Sequence, residues 1–156
     1  MFWYDFALTQ FFLAGRVQEA AGLQKQSVDL KKRELIVKDV VVWDKRTKKF
    51  DYLKPQPKNG EVRLVHINDE LFQSLIRRMN DPANTSPYVF ALENKPLNYR
   101  SIQYYYGVAL KEAGLSYRFG GTHFLRHSMA TVTRQATGSL ELTQAITGHK
   151  LSLIHI

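Results

Sequence analysis

The alternation of apolar and polar positions divides the chain into a helical start, a β-rich middle and a helical end. Residues 3–23 carry apolar side chains at three- and four-residue spacings, which predicts helix, and Gly15 predicts a break between two helices. β-Branched residues then dominate "ELIVKDVVVWD" and "VRLVHI", and the Asn59-Gly60 pair between them is typical of a hairpin turn. The pattern predicts a small antiparallel sheet over residues 34–67.

Helical spacing returns after this sheet. "DELFQSLIRRM" predicts a helix with Asp69 as its N-cap, and "NYRSIQYYYGVALKEAGL" predicts another that stops at Gly114. Two further helices are predicted to begin at Thr122 and at Ser139, and the last should end at Gly148. The order predicts an α+β fold: a mainly helical domain with a small three-stranded antiparallel sheet.

Composition adds limits on the kind of protein. A length of 156 residues with 44% hydrophobic residues predicts one ordinary domain, and the absence of cysteine excludes disulfides, a thiolate nucleophile and a Cys-based zinc site. No stretch predicts a signal peptide or a membrane span, so we expect a cytoplasmic protein. The net charge of +8 favours a polyanionic partner, without deciding between DNA, RNA and a membrane surface.

The stretch "GTHFLRHSMATVTRQA" has two unlike sides when it is placed on a helix. The side predicted to be buried carries Leu125, Met129, Val132 and Ala136. The other side is cationic and carries His123, Arg126, His127 and Arg134. With Thr122 as N-cap, His123 and Arg126 lie in the first turn, where backbone N–H groups favour an anion. Guanidinium and imidazole donors there predict a phosphate clamp.

Two other interpretations of this helix remain open. The cationic side can be an ordinary solvated surface with one histidine satisfied in the core. His123 and His127 have the spacing of two zinc ligands, although the glutamate of the metalloprotease motif is absent and no cysteine is available. A metal-dependent nuclease that also uses His149 is the corresponding functional alternative, and it predicts loss of activity with a chelator.

Three boxes in order resemble the tyrosine recombinases, the phage-type integrases. His123-x-x-Arg126-His127 with the later Gly148-His149 pair resembles the second conserved box of that family. "FFLAGRVQEAAGLQKQSVDL" resembles the first box, Gly-x-Arg-x-x-Glu, which implies that Arg16 is the first catalytic arginine and Glu19 a supporting residue.

The third box lies in the predicted hairpin. "KNGEVRLVHI" resembles the family's Lys-Thr-Gly-Lys-x-Arg-x-Val-Pro-Leu segment and implies that Lys58 is the catalytic lysine. Glu61 stands where a lysine is usual and His66 where a proline is usual, which leaves Lys54 as the alternative. Taken singly, these residues also have plain structural explanations: a helix ion pair for Arg16 and Glu19, and a solvated turn for Lys58.

The resemblance implies breakage and rejoining of double-stranded DNA through a covalent phosphotyrosine, with no metal and no cofactor. Arg16, Arg126 and His149 would stabilise the developing phosphate charge, and Lys58 would protonate the leaving oxygen. His123 would assist proton transfer, with His127 supporting its helix. The implied partners are DNA and, in the full-length protein, further recombinase protomers on paired sites. We therefore expect a nucleoid-associated protein of the cytoplasm with no membrane contact.

The family nucleophile is a tyrosine that follows the Gly-His pair closely, and this sequence has none there. Its eight tyrosines end at Tyr117, and those of the "YYY" run point in different directions, with one or two expected in the core. We expect a catalytic domain over residues 1–150 that is incomplete at its C-terminus, followed by a non-native tail at residues 151–156. A DNA-binding remnant that cannot cleave is the alternative function.

Overall fold

The computed structural model describes residues 1–55, 62–116 and 121–147, and in these residues helices lie at both ends with short strands between them. The helices of these residues are α1 (Phe2–Leu13), α2 (Val17–Ala21), α3 (Asp69–Met79), α4 (Tyr99–Glu112), α5 (Phe124–Thr137) and α6 (Leu140–Thr147). The strands are β1 (Val28–Asp29), β2 (Glu34–Val37), β3 (Asp39–Trp43), β4 (Phe50–Pro55), β5 (Arg63–His66), β6 (Ala91–Leu92) and β7 (Lys95–Pro96). The predicted α+β class is confirmed.

The predicted break between the first two helices is present, but its geometry differs from the expectation. The residue in the left-handed conformation is Ala14, at φ 46°. Gly15 is needed for space instead, because a Cβ there would lie 3.0 Å from Oε2 of Glu19. The turn therefore brings the backbone before Arg16 directly against the Glu19 carboxylate.

Strands β1–β5 form two separate antiparallel sheets where one sheet over residues 34–67 was predicted, and β6 and β7 pair in a third, two-stranded sheet. The three-stranded sheet has the order β1-β2-β5, with Leu35 opposite Val65, while β3 pairs only with β4, with Val41 opposite Leu53. The sequence pattern missed β4, because charged residues surround its few apolar positions and the strand is mostly exposed. The Asn59-Gly60 turn lies outside the described residues.

The core lies between α1, the three-stranded sheet, α3 and α4. Its largest buried side chains are Phe6, Leu13, Leu35, Ile67, Leu71, Leu75, Phe90, Leu97 and Ile102. Removing this apolar surface from water is the main stabilising contribution to the fold. The N-cap of α3 is Asn68, one residue before the predicted Asp69, because the Asn68 side chain accepts a hydrogen bond from the Leu71 N–H at 2.9 Å.

Helix α5 differs most from its prediction. It begins at Phe124 with His123 as the N-cap residue, and Thr122 is buried before it. Val132 on the predicted apolar side is 50% exposed and Ala136 is also exposed, whereas Arg126 on the predicted cationic side is only 5% exposed. The helical wheel was wrong about these positions because α5 packs on α1 and because the Glu19 carboxylate of α2 offsets the cost of burying Arg126.

The described part of the chain contains no helix with the length and apolar content needed to cross a lipid bilayer. Within the "YYY" run, Tyr106 is in the core and Tyr104 and Tyr105 are exposed on α4, so one of the three is buried as predicted.

Candidate active site

A basic groove with a volume of about 400 Å³ brings together residues from distant parts of the sequence. Its basic lining comes from Arg16 before α2, His123 at the start of α5, and Lys54 on β4. Lys45 and Lys48, in the turn between β3 and β4, also line it. Two predicted catalytic residues and the alternative lysine therefore share one groove. Lys58 and His149 lie outside the described residues.

Arg16 is presented to the groove by the turn between α1 and α2. Its backbone has extended dihedral angles at the N-cap of α2, and its N–H donates to Oε2 of Glu19 at 2.8 Å. The carboxylate thus fixes the backbone of the residue, while the guanidinium itself is exposed toward the groove. This arrangement leaves the side chain accessible to an anion.

Glu19 also forms a buried ion pair that the sequence interpretation missed. Arg63 on β5 donates to Oε1 at 3.1 Å and to Oε2 at 3.3 Å, and also to the carbonyl of Leu13 at 3.1 Å. The side chains of Arg63 and Glu19 are 11% and 4% exposed. Arg63 belongs to the hairpin box, and its place in that motif was the only sequence signal for this role.

Arg126 completes a cluster of like charges around this carboxylate. Burial lowers the pKa of Arg126, the Glu19 carboxylate opposes that shift, and the neighbouring Arg16 and Arg63 lower it further. A guanidinium remains charged even so, because its pKa is far above neutral. Three arginines around one carboxylate leave excess positive charge, and the arrangement favours an anion beside Arg16 and Arg126.

His123 lies within the field of the same cations. Burial lowers its pKa below the ordinary value, and the charges of Arg126, His127 and Arg16 lower it further. The imidazole is therefore largely neutral at pH 7. His127 is exposed, and its backbone N–H donates to the His123 carbonyl at 3.1 Å in the first turn of α5.

Aromatic residues form one wall of the groove and were not predicted to do so. The Trp43 indole N–H donates to the Leu97 carbonyl at 2.8 Å, and the Trp43 and Tyr99 rings are 5.0 Å apart. The Tyr99 hydroxyl lies 3.5 Å from Oγ1 of Thr122. These contacts connect the β3–β4 unit to the residue that precedes His123, so they hold the two sides of the groove together.

No group of three histidine, aspartate or glutamate side chains that could hold a metal ion occurs in residues 1–55, 62–116 and 121–147. The metal-nuclease alternative also requires His149, which is outside those ranges. The described residues form a cationic groove with an exposed guanidinium, an imidazole of lowered pKa and accessible lysines.

Comparison with known proteins adds the family. The phage integrase family matches residues 4–153. Among solved structures, the Tn1549 transposon integrase in complex with circular intermediate DNA is 20% identical, with a TM-score of 0.78 over 94% of this chain and 51% of that chain. XerA recombinase is 21% identical, with a TM-score of 0.68 over 92% of this chain and 47% of that one.

A lambda integrase tetramer bound to a Holliday junction is also similar, at 18% identity and a TM-score of 0.67 over 99% of this chain and 43% of that one. The chain thus spans about half the length of these structures or less. No curated protein sequence matched it. Because the family match covers nearly all of the sequence, the chain belongs to the phage integrase family, and its fold is that of the tyrosine recombinase catalytic domain.

Proposed function

We propose that this chain is part of the catalytic domain of a site-specific DNA recombinase or integrase, and that its groove binds one phosphodiester of double-stranded DNA. The observation that carries the proposal is the convergence of Arg16 and His123 at one groove from the two ends of the sequence, with the buried Arg126 close enough to affect the pKa of His123. Solved relatives in complex with circular intermediate DNA and with a Holliday junction support the choice of DNA.

In the proposed chemistry, negative charge develops on the phosphate close to the arginines of the site. Attack on phosphorus increases charge on the non-bridging oxygens, and preorganised donors at those oxygens lower the barrier. Arg16 and Arg126 are suited to this task because a guanidinium donates to two oxygens of one phosphate. In the proposal His149 is the third donor, and His123 transfers a proton or donates a further hydrogen bond.

The departing 5′ oxygen requires a proton, and we propose a lysine as its source. Lys58 is the first choice from its place in the hairpin box. Lys54 is the alternative, and it lines the same groove as Arg16 and His123.

Cleavage through a 3′-phosphotyrosyl intermediate requires a nucleophile, and the 156 residues contain no tyrosine after Tyr117. We therefore propose that this polypeptide binds DNA without cutting it, and that residues 151–156 are a non-native tail. The second candidate function is a DNA-binding protein that does not cleave in any form, and the absence of a tyrosine after Tyr117 favours it as well. In a longer protein, further protomers on paired sites at the nucleoid would complete the assembly.

A labelled pool of random-sequence duplexes tests this proposal. The 156-residue chain should retard the duplexes on a native gel, with weaker binding at higher salt, and should give no labelled band after denaturation. A gene product that extends past His149 and supplies a tyrosine there should give a labelled covalent band. A covalent adduct from the 156-residue chain would contradict the proposal, and so would the absence of any salt-dependent DNA binding.

DNA affinity should rise as the pH falls through the range in which His123 titrates. The pKa of His123 is lowered in the unbound protein, and a phosphate beside it favours the protonated form, so binding takes up a proton. Each unit of difference between the bound and unbound pKa adds about tenfold to the affinity. Fluorescence anisotropy of a labelled duplex between pH 8 and pH 5 measures this dependence.

His123→Gln should remove that part of the pH dependence, whereas His127→Gln, one helical turn away and exposed, should largely keep it. Protein stability in the absence of DNA should depend on pH in the opposite direction to DNA affinity. The unfolded chain binds the His123 proton more tightly than the folded chain, so the free energy of unfolding falls as the pH drops from about 6.5 through the lowered pKa. A wild-type affinity curve that coincides with that of His123→Gln would refute the role of this imidazole.

A further inference from the structure

Gln10 is a fully buried polar residue in the last turn of α1. Its Nε2 donates to the carbonyl of Thr122 at 2.8 Å and to the carbonyl of Gly15 at 3.3 Å. Burying an amide costs free energy unless each polar group finds a partner, and an apolar residue would fill the same space without that requirement. The two hydrogen bonds therefore indicate a purpose beyond packing.

The two carbonyls that Gln10 contacts lead directly into the two basic residues of the groove. The carbonyl of Gly15 belongs to the peptide bond before Arg16, and the carbonyl of Thr122 to the peptide bond before His123. The Gly15–Arg16 peptide is held from its other side as well, since its N–H donates to Glu19. One side-chain amide thus connects the backbones that carry Arg16 and His123.

The orientation of this amide is itself fixed. The Tyr106 hydroxyl donates to Oε1 of Gln10 at 2.7 Å. Tyr106 is buried in α4, and burial raises the pKa of its hydroxyl far above the ordinary value, so the group remains a donor at all physiological pH values. With Oε1 occupied as an acceptor, Nε2 must face the two carbonyls.

We propose that Gln10 is a positioning residue that holds Arg16 and His123 at the separation needed to contact one phosphate, with Tyr106 fixing its amide. The proposal rests on the proposed function of the groove. Gln10 contacts neither the phosphate nor the groove and acts through the two peptide bonds. Small displacements of such donors weaken binding strongly, because donors to the same phosphate must all be correctly placed at the same time.

Gln10→Met is the main test, since methionine has a similar shape and cannot form these hydrogen bonds. NMR titration of the His123 imidazole in the 156-residue chain should show its pKa moving up toward the ordinary value, as the imidazole leaves its partly buried position near Arg126 and Arg16. Affinity for a labelled random-sequence duplex should fall about tenfold. Thr9→Val is the matched control: it removes a buried hydroxyl from the same helix, one that bonds only within α1.

Thr9→Val should lower stability while leaving both the His123 titration and the duplex affinity as in the wild type. Tyr106→Phe keeps the Gln10 donors but frees the amide to rotate, so it should change both readouts in the same direction and by less. If Gln10→Met does not fold, the same two measurements on Tyr106→Phe test the proposal. If these variants lose stability but match Thr9→Val in both readouts, Gln10 is only structural and the proposal is wrong.

A different result would show that the proposed function itself is wrong. If duplex DNA leaves the His123 NMR signal of the wild-type protein unchanged, the groove does not bind DNA, and Arg16 and His123 do not contact a phosphate. The titration of His123 in the unbound variants would then still show whether Gln10 sets the separation of the two basic residues.

Discussion

Replacing Glu19 with glutamine should lower the free energy of unfolding by about 3 kcal/mol or more, which is the typical cost of breaking a buried ion pair from one side. Glutamine keeps the shape and can still accept from the Arg16 N–H. It removes the negative charge that compensates the buried Arg63 and Arg126, however. Urea denaturation followed by circular dichroism measures the change.

Asp69→Asn is the control for this substitution. It neutralises a carboxylate that pairs with Arg33 at 3.2 Å, but the Asp69 side chain is 99% exposed. Exposed pairs contribute little, because water and salt screen them, so this variant should stay close to the wild type in stability. If Glu19→Gln lost no more stability than Asp69→Asn, the cluster would have another source of compensating charge.

Replacing Arg16 with glutamine should weaken DNA binding by between about tenfold and a hundredfold, because charge-assisted hydrogen bonds contribute about 1.5–3 kcal/mol each. Stability should hardly change. The guanidinium is exposed, and the bond that shapes the turn comes from the Arg16 backbone. Fluorescence anisotropy with a short labelled duplex at constant low salt measures the affinity.

Arg46→Gln removes the same charge from an exposed position in the turn between β3 and β4, where the Arg46 backbone N–H bonds Oδ1 of Asp44. It should change the affinity by less than about threefold, since it loses only a screened surface charge. Equal losses for Arg46→Gln and Arg16→Gln would mean that DNA responds to net charge alone, and the groove would have no special role.

Much of the helical part of the fold could be predicted from the sequence. The break before Arg16, the helix ending near Gly114 and the separate last helix follow from local signals, because a glycine or a cap acts within one turn. The strands were harder to predict. β4 is mostly exposed, and strands without a buried face lack the alternation by which they are identified.

Part of the candidate site could be predicted from the sequence and part could not. Arg16 and His123 were predicted from motifs, and the structure places both in one groove with Lys54. The burial of Arg126 could not be predicted from the helical wheel, since the wheel scores hydrophobicity and ignores a carboxylate on another helix.

The sequence by itself thus determined which functional groups the site contains, because a motif gives the residue types and their spacing along the chain. It did not determine how these groups are arranged in space. Arg63 meets Glu19, and Gln10 meets Thr122, only because β5 and the start of α5 pack against α1 and α2. These are contacts between residues far apart in the chain. They depend on how the core closes, so the balance of charge around the groove and the spacing of its donors were decided by tertiary packing.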